Sequence, residues 1–340
     1  MDERILEALA GAEAYVVGGA VRDELIGRPV VHLDVACAEP VPAARRYARA
    51  TRTALFPLSE RHGAWRVVFR DGSTVDFTPL RGGIEADLAT RDFTVNAIAV
   101  PVAGGEPVDP FDGRRDLAAR RLSAVSETVF ADDPLRLLRA VRLEDELHLR
   151  LDPKTERLVR GHARLVGCAA GERILAELVR LSVAGYRRAG ELGLLEPLGG
   201  KAAGLDRAGL FETPNFLLLC VLGERVFRLP ISNSTGRFAR TVLAASPPKD
   251  GSPRAIHRFR RMTEPWALEA LAYLGAGDYA DAVRTQRESD PVEPLLRGDE
   301  LGLPPGPEIG RLLEHIAEER AAGTISTREE ALEVLKKERW

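Results

Sequence analysis

The chain has 340 residues, and its 48 Lys and Arg against 51 Asp and Glu give a formal net charge of −3. A balance this close to neutral excludes a uniformly basic nucleic-acid-binding surface, so any affinity for nucleic acid must come from local clusters of arginine. The length predicts two to three domains instead of one core.

Cysteine usage and hydropathy indicate the compartment. Cys37, Cys168 and Cys220 are isolated in apolar surroundings, which predicts buried thiols in a reducing compartment and argues against a structural zinc site. No apolar run approaches the roughly 18 residues that a membrane-spanning helix needs, and the N-terminus lacks a cationic leader. We therefore expect a cytoplasmic protein that does not associate with a membrane.

The first third of the chain mixes short β-rich runs with helical segments, which predicts an α+β domain with a mixed sheet. Asp71-Gly72 separates two alternating runs and is a hairpin signal, so these two runs should pair antiparallel. A helix is expected over 42–51. Strands are expected over 14–17, 30–35, 65–69, 74–77 and 97–102.

From residue 114 onward the pattern is helical and strand signals disappear. Clusters of Pro and Gly at 197–201, 246–253 and 303–307 cannot continue a helix and divide this region. The sequence therefore predicts a mixed-sheet head followed by three all-helical parts. The predicted boundaries are head 1–115, neck 116–198, body 199–247 and tail 248–340.

Gly18 and Gly19 follow an apolar strand and precede a helix. Without a Cβ in the way, backbone N–H groups can converge on an anion at such a turn, and Arg22 would then lie near bound phosphates. Taken alone, a Gly-Gly turn is more often a tight connection. The nearby Arg22 and Asp34 favour a phosphate site.

Asp34 lies in a short apolar run, and Asp76 is expected at the end of the central strand that follows the hairpin turn. Two carboxylates on neighbouring strands favour a metal site, although either could be a hydrogen-bonded strand end. A second polar group follows at Arg91, Asp92 and Asn96. Arg91 could clamp a phosphate or sugar while the other two orient it, or Arg91 and Asp92 could form a structural ion pair.

A third group begins a predicted helix in which Asp133 is a cap and arginines recur every third residue at 136, 139 and 142. Asp133 can accept from an exocyclic amine while Arg136 donates to a ring acceptor, and cytosine and adenine both offer that pair. A mismatched base would lose about 1–3 kcal/mol. Arg139 and Arg142 either contact nucleotide or are solvated or paired within the protein.

Together these motifs closely resemble the class II tRNA nucleotidyltransferase and bacterial poly(A) polymerase family, which includes the CCA-adding enzymes. The resemblance implies a nucleotidyltransferase head with His32, Asp34 and Asp76 as catalytic metal ligands for Mg²⁺ or Mn²⁺. It also implies ATP, CTP and tRNA as partners; no protein partner is evident. The matching segments are 16–34, 91–97, 108–117, 132–142, 171–178 and 302–313.

The implied reaction is template-independent addition of C, A or both to the tRNA 3′ end. The segment 302–313, with Gly306 and Arg311, is similar to the tRNA-contacting end of CCA-type members and favours tRNA over poly(A) tails. Arg258 and Arg261 belong to a basic run that is either a solvated helix face or a contact to the tRNA backbone.

Two departures from the family pattern bear on activity. The family's metal motif is Asp-x-Asp, whereas this chain has His32-Leu33-Asp34, and a neutral imidazole supplies one nitrogen and no bridging charge. Altered activity and a tRNA-binding protein without activity both stay open. The connection over 81–87 is short where many CCA-adding members have a longer loop, which suggests a specialist that adds only part of CCA.

Overall fold

A six-stranded mixed sheet forms the centre of the head in the computed structural model, which describes residues 3–9, 11–59, 63–80, 82–207 and 211–338. The strand order is β3-β4-β5-β2-β1-β6; β2 and β5 are parallel, and the other neighbours are antiparallel. This confirms the predicted α+β head. The strands are β1 (Ala14–Val17), β2 (His32–Cys37), β3 (Ala54–Ser59), β4 (Ala64–Val68), β5 (Thr74–Pro79) and β6 (Ala99–Pro101).

The hairpin at Asp71-Gly72 forms as predicted, because Gly72 adopts a φ of 86° in the turn between β4 and β5. β3 was not predicted. Its Pro57 interrupts a strand pattern, and only an edge strand such as β3 tolerates a residue without a backbone N–H. Asp76 is the third residue of β5, so its expected position at the strand end was wrong.

Four helices accompany the sheet: α1 (Glu3–Leu9), α2 (Gly19–Leu25), α3 (Pro40–Thr51) and α4 (Ile84–Ala89). The apolar face of α3 packs on the sheet through Tyr47, whose ring lies 5.7 Å from that of Phe77. α4 begins within the short connection over 81–87, of which residue 81 lies outside the described residues.

The neck is mostly helical. One detail of the prediction was wrong, because two short strands, β7 (Arg121–Leu122) and β8 (Arg150–Leu151), pair in parallel there. Asp152 caps the helix that follows β8 by accepting from the N–H of Lys154. The helices are α5 (Gly113–Ala118), α6 (Val129–Asp132), α7 (Arg136–Leu147), α8 (Pro153–His162), α9 (Gly171–Leu178) and α10 (Val183–Glu191).

The chain divides into two units, Met1–Leu198 and Gly199–Trp340. The described part of the second unit is helical, with α11 buried along most of its length and Ser232 and Ser252 capping two of the helices. The finer division into head, neck, body and tail stays a prediction. The helices are α11 (Pro214–Leu222), α12 (Asn233–Ala244), α13 (Pro253–Thr263), α14 (Ala267–Leu274), α15 (Ala280–Glu288), α16 (Pro307–Ala321) and α17 (Arg328–Glu338).

Two compartment predictions can be compared with the structure. Cys37 and Cys220 are buried as expected, but Cys168 is exposed because it ends a short helical turn at the surface. None of the described helices combines the length and the apolar character needed to cross a lipid bilayer.

Candidate active site

The turn from β1 into α2 depends on Gly18, which has φ 74° and ψ −139°, a conformation that residues with a Cβ rarely adopt. A Cβ built at this position would lie 3.3 Å from Oδ2 of Asp34 and 3.4 Å from Nη1 of Arg91. Gly18 therefore lets the backbone approach a carboxylate and a guanidinium together. Gly19 is already the first residue of α2, so Gly18 is the one glycine of the predicted turn that precedes the helix.

Asp34 and Asp76 lie side by side, because the parallel register of β2 and β5 places them directly opposite each other. Asp76 is also opposite Arg66 in the β4–β5 hairpin. The Nε and Nη2 atoms of Arg66 each donate to one oxygen of Asp76 at 2.7 Å. Arg66 was missed in the sequence, although counting outward from the Asp71-Gly72 turn pairs it with Asp76.

The electrostatic environment of Asp34 is unfavourable for a negative charge. Burial raises the pKa of its carboxyl above the ordinary value, and the adjacent Asp76 charge raises it further. Arg91, Arg139 and Arg66 partly offset this increase. A cation beside the two carboxylates would relieve their mutual repulsion.

A chain of hydrogen bonds and ion pairs joins α2 to α7. Nη1 of Arg22 donates to Oδ1 of Asn96 at 2.5 Å, and Nδ2 of Asn96 donates to Oδ1 of Asp92 at 2.8 Å. Oδ2 of Asp92 lies 2.6 Å from Nε of Arg139. This last contact is an ion pair with a poorly aligned N–H, since Nε has no hydrogen-bond partner. The four side chains form a largely buried polar relay.

Arg91 does not pair with Asp92, so the structural ion pair considered as an alternative does not form. Its Nε and Nη2 atoms instead donate to Oδ2 of Asp87 in α4, at 3.2 and 2.7 Å. The remaining nitrogen, Nη1, points to the space beside Gly18. Asp87 thus holds Arg91 at the edge of the carboxylate pair.

The predicted base-reading residues lie at the start of α7. Oδ1 of Asp133 accepts from the N–H of Leu135 at 3.1 Å, and Oδ2 lies 2.7 Å from Nη2 of Arg173. Burial raises the pKa of Asp133, but the bonds from Arg173 and Leu135 outweigh it and lower this pKa below its ordinary value. Arg136 donates to the carbonyl oxygen of Thr90 at 2.7 Å.

Arg142 is paired within the protein, which is one of the alternatives predicted for it. Its side chain is 7% exposed; Nε bonds to Glu177 of α9, and Nη1 bonds to Glu146 at 2.8 Å. Arg142 therefore joins α7 to α9, and its contact to a nucleotide stays a prediction. Its buried charge is already compensated.

Comparison with known proteins places this architecture in a family. The model of the poly(A) polymerase head domain matches residues 14–83 and 81–123. The CC-adding tRNA nucleotidyltransferase of Geobacter sulfurreducens is 32% identical over 402 aligned positions that cover 96% of this chain and 92% of the relative. The chain belongs to the class II tRNA nucleotidyltransferase family.

Other relatives and solved structures extend this result. The A-adding tRNA nucleotidyltransferase of Deinococcus radiodurans is 31% identical, with 94% of each chain covered. A CCA-adding enzyme in complex with CTP has the same fold, with a TM-score of 0.80, 22% identity and coverage of 99% of this chain and 96% of that one. The Thermotoga maritima CCA-adding enzyme complexed with tRNA gives a TM-score of 0.76 at 20% identity, with 99% and 93% covered.

Nucleotidyltransferases of this family generally use a divalent metal ion. Asp34 and Asp76 supply two oxygen ligands of the type that a hard divalent ion prefers, so they fit one such ion. His32 is exposed, and its Nδ1 lies 2.9 Å from Oγ1 of Thr74. Across the described residues, no three His, Cys, Asp or Glu side chains come together in a group that could hold a metal. The predicted three-ligand set that included His32 is therefore not assembled.

The predicted RNA-binding residues of this nucleotidyltransferase lie on α13 and α16. Arg258 pairs with Glu318 and Arg261 pairs with Glu314, each at 2.6 Å, so both arginines are bound within the unit. Their side chains are nevertheless 60% and 62% exposed, so the solvated helix face and the contact to the tRNA backbone both stay predictions. Arg311 is exposed on α16, and no ion pair joins it to the described part of the chain; Gly306 directly precedes that helix.

Proposed function

We propose that this protein adds C, A or both to the 3′ end of tRNA without a template. It would transfer CMP from CTP or AMP from ATP to the terminal hydroxyl and release pyrophosphate. The observation that carries the proposal is the Asp34–Asp76 pair, which lies beside the Gly18 turn and the free edge of Arg91. Carboxylates that can hold a metal ion, an open backbone turn and a guanidinium are groups that phosphoryl-transfer sites use to position and neutralise phosphates.

The residues around Gly18 would bind and orient the triphosphate. Arg22 is fixed by Asn96 on one side and by Asp23 on the other, with Nη2 of Arg22 2.7 Å from Oδ1 of Asp23. Nη1 of Arg91 extends into the same space. Because these side chains are already held in place, little conformational entropy would be lost when the phosphates bind.

Asp34 and Asp76 would hold a divalent ion, which we propose to be Mg²⁺ or Mn²⁺. When bound, the ion would lower the pKa of the attacking hydroxyl and neutralise charge on the phosphates. The protein's own contribution is positioning, so no histidine is assigned as a general base. His32 leaves the first ligand position of the family motif without a carboxylate, and its imidazole is bonded to Thr74.

Asp133 and Arg136 would select the nucleobase. Asp133 keeps 27% of its side chain exposed while Arg173 and the N–H of Leu135 hold it as a carboxylate, which supports its role as an acceptor for an exocyclic amine. Arg136 would donate to the adjacent ring nitrogen. This polarity favours cytosine and adenine over uracil and guanine.

We propose tRNA as the nucleic-acid substrate, because the family relatives are tRNA nucleotidyltransferases and Arg311 offers an exposed positive charge on α16. Contacts from Gly306, Arg258 and Arg261 to tRNA also remain proposals, and the two arginines would have to exchange their glutamate partners for phosphates. We also propose that the protein is located in the cytoplasm, because its three cysteines are free thiols, as is usual in a reducing compartment.

The test is incorporation of labelled CTP or ATP into tRNAs that lack the last one, two or three nucleotides, in Mg²⁺ and separately in Mn²⁺. CC-adding, A-adding and CCA-adding activity give different products on these three substrates. The variant Asp34→Asn is the negative control. Incorporation by wild type that equals that of this variant would refute the proposal.

A second function is favoured by two observations at the same site, namely His32 in place of a carboxylate and Arg66 on Asp76. It is a tRNA-binding protein without transferase activity. Binding of tRNA without incorporation in either metal would support it, and restored incorporation in His32→Asp would show which residue removed the activity. Long ATP-only products on any RNA would instead indicate a poly(A) polymerase.

A further inference from the structure

Arg66 differs from the other arginines around the Asp34–Asp76 pair in the partner that it binds. Arg91 is paired with Asp87 and Arg139 with Asp92, and neither partner belongs to the carboxylate pair. Arg66 is bound to Asp76 itself, through both carboxylate oxygens. The positive charge of Arg66 therefore lies on a group that is needed for cation binding.

The geometry of this ion pair leaves Asp76 only partly available. A bidentate guanidinium occupies one lone pair on each carboxylate oxygen and fixes the plane of the group. With one arginine and two aspartates, the local formal charge is −1 instead of −2. The Asp76 side chain is 11% exposed, whereas that of Arg66 is 40% exposed and opens to solvent, so the arginine can leave without unfolding the strand.

We propose that Arg66 is a tethered cation that competes with the divalent ion for Asp76 and thereby sets the metal affinity of the site. The inference rests on the proposed function, because it assumes that Asp34 and Asp76 are the metal-binding carboxylates. In the free protein Arg66 satisfies Asp76 and leaves Asp34 as the one open ligand of the pair. The ion then binds weakly unless a triphosphate adds further oxygen ligands.

The proposal predicts that removal of the charge strengthens metal binding. We would titrate the full-length protein with Mn²⁺ in the absence of nucleotide and follow the electron paramagnetic resonance signal of free Mn²⁺. Arg66→Gln should bind Mn²⁺ roughly tenfold more tightly than wild type, the size expected for removing one positive charge near a divalent ion under water-like screening. Arg66→Lys retains the charge and should stay close to wild type.

A matched control separates this effect from a change in net charge. Arg45 is exposed and lies over the ring of Trp65 at 5.8 Å, away from the carboxylates, so Arg45→Gln removes the same charge without touching the site. Its Mn²⁺ affinity should equal that of wild type. Equal affinities for wild type and Arg66→Gln would overturn the inference.

Two further measurements keep the outcomes distinct. Binding that is unchanged in Asp34→Asn would refute the proposed function, because the ion would then lie elsewhere. Thermal unfolding in EDTA and in Mn²⁺ tests a purely structural role of Arg66, which would lower the melting temperature of Arg66→Gln equally in both. Competition instead predicts that Mn²⁺ raises the melting temperature of Arg66→Gln by more than it raises that of wild type.

Discussion

The buried relay predicts a large effect of substituting Asn96, which is 3% exposed and joins Arg22 to Asp92. Asn96→Leu keeps the volume of the side chain but removes the acceptor for the Arg22 guanidinium and one donor to the Asp92 carboxylate. Hydrogen bonds to charged groups are worth about 1.5–3 kcal/mol each. Asp92 still accepts from the N–H of Phe93 at 2.8 Å, and Arg22 keeps Asp23, so neither charge is left alone.

We therefore expect Asn96→Leu to lower the free energy of unfolding by about 3 kcal/mol, the low end of the roughly 3–6 kcal/mol expected for two such bonds. This corresponds to a decrease in melting temperature of about 6–12 °C at roughly 2–4 °C per kcal/mol. Affinity for CTP and ATP should fall as well, since Arg22 loses the contact that fixes its guanidinium beside Gly19.

Urea unfolding followed by tryptophan fluorescence measures the stability of the unit that contains the relay. Substituting Phe for Trp266 and Trp340 leaves Trp65, in strand β4, as the one reporter, so that the second unit does not obscure the transition. Glu85→Gln, at an exposed position of the same unit, is the control and should change stability by less than about 0.5 kcal/mol. A decrease in unfolding free energy of less than about 1 kcal/mol for Asn96→Leu would refute the predicted contribution of the relay to stability.

Three further predictions concern other parts of the molecule. In the absence of metal, Asp34→Asn should be more stable than wild type at pH 7. Burial and the charge of Asp76 raise the pKa of Asp34 above its ordinary value of 3.8. Wild type therefore loses stability as the pH rises from 3.8 through the raised pKa, because the folded protein must then hold an unfavourable negative charge. The difference should vanish near pH 4 in urea unfolding; a constant difference would contradict this. Glu177→Gln should cost about 3 kcal/mol of unfolding free energy, because Arg142 keeps its charge in the protein interior with only part of its compensation; an unchanged melting temperature would contradict it. Arg311→Gln should weaken tRNA binding without altering stability, and it should reduce the slope of log affinity against log salt concentration by about 1. Identical slopes for wild type and variant would show that Arg311 does not contact RNA.

Local patterns determined much of the fold. Alternation of apolar residues and the Asp71-Gly72 turn correctly predicted the hairpin, because strand period and turn type depend on neighbouring residues. The pairing of Arg91 with Asp87 could also have been predicted from the sequence, since the two residues are four positions apart at the end of a helix. The same reasoning failed for β3, where Pro57 conceals an edge strand.

Only the tertiary structure decided how the charges are shared among the motifs. Arg22 and Asn96 are 74 positions apart, and Arg142 and Glu177 are 35 apart, so their contacts depend on how separate elements pack. A sequence can indicate ion pairs within one helix or one hairpin, but it does not show which carboxylate on a separate element a given guanidinium reaches. For that reason the Arg66–Asp76 pair followed from the hairpin register, whereas only the packing of β2 against β5 placed that pair directly beside Asp34.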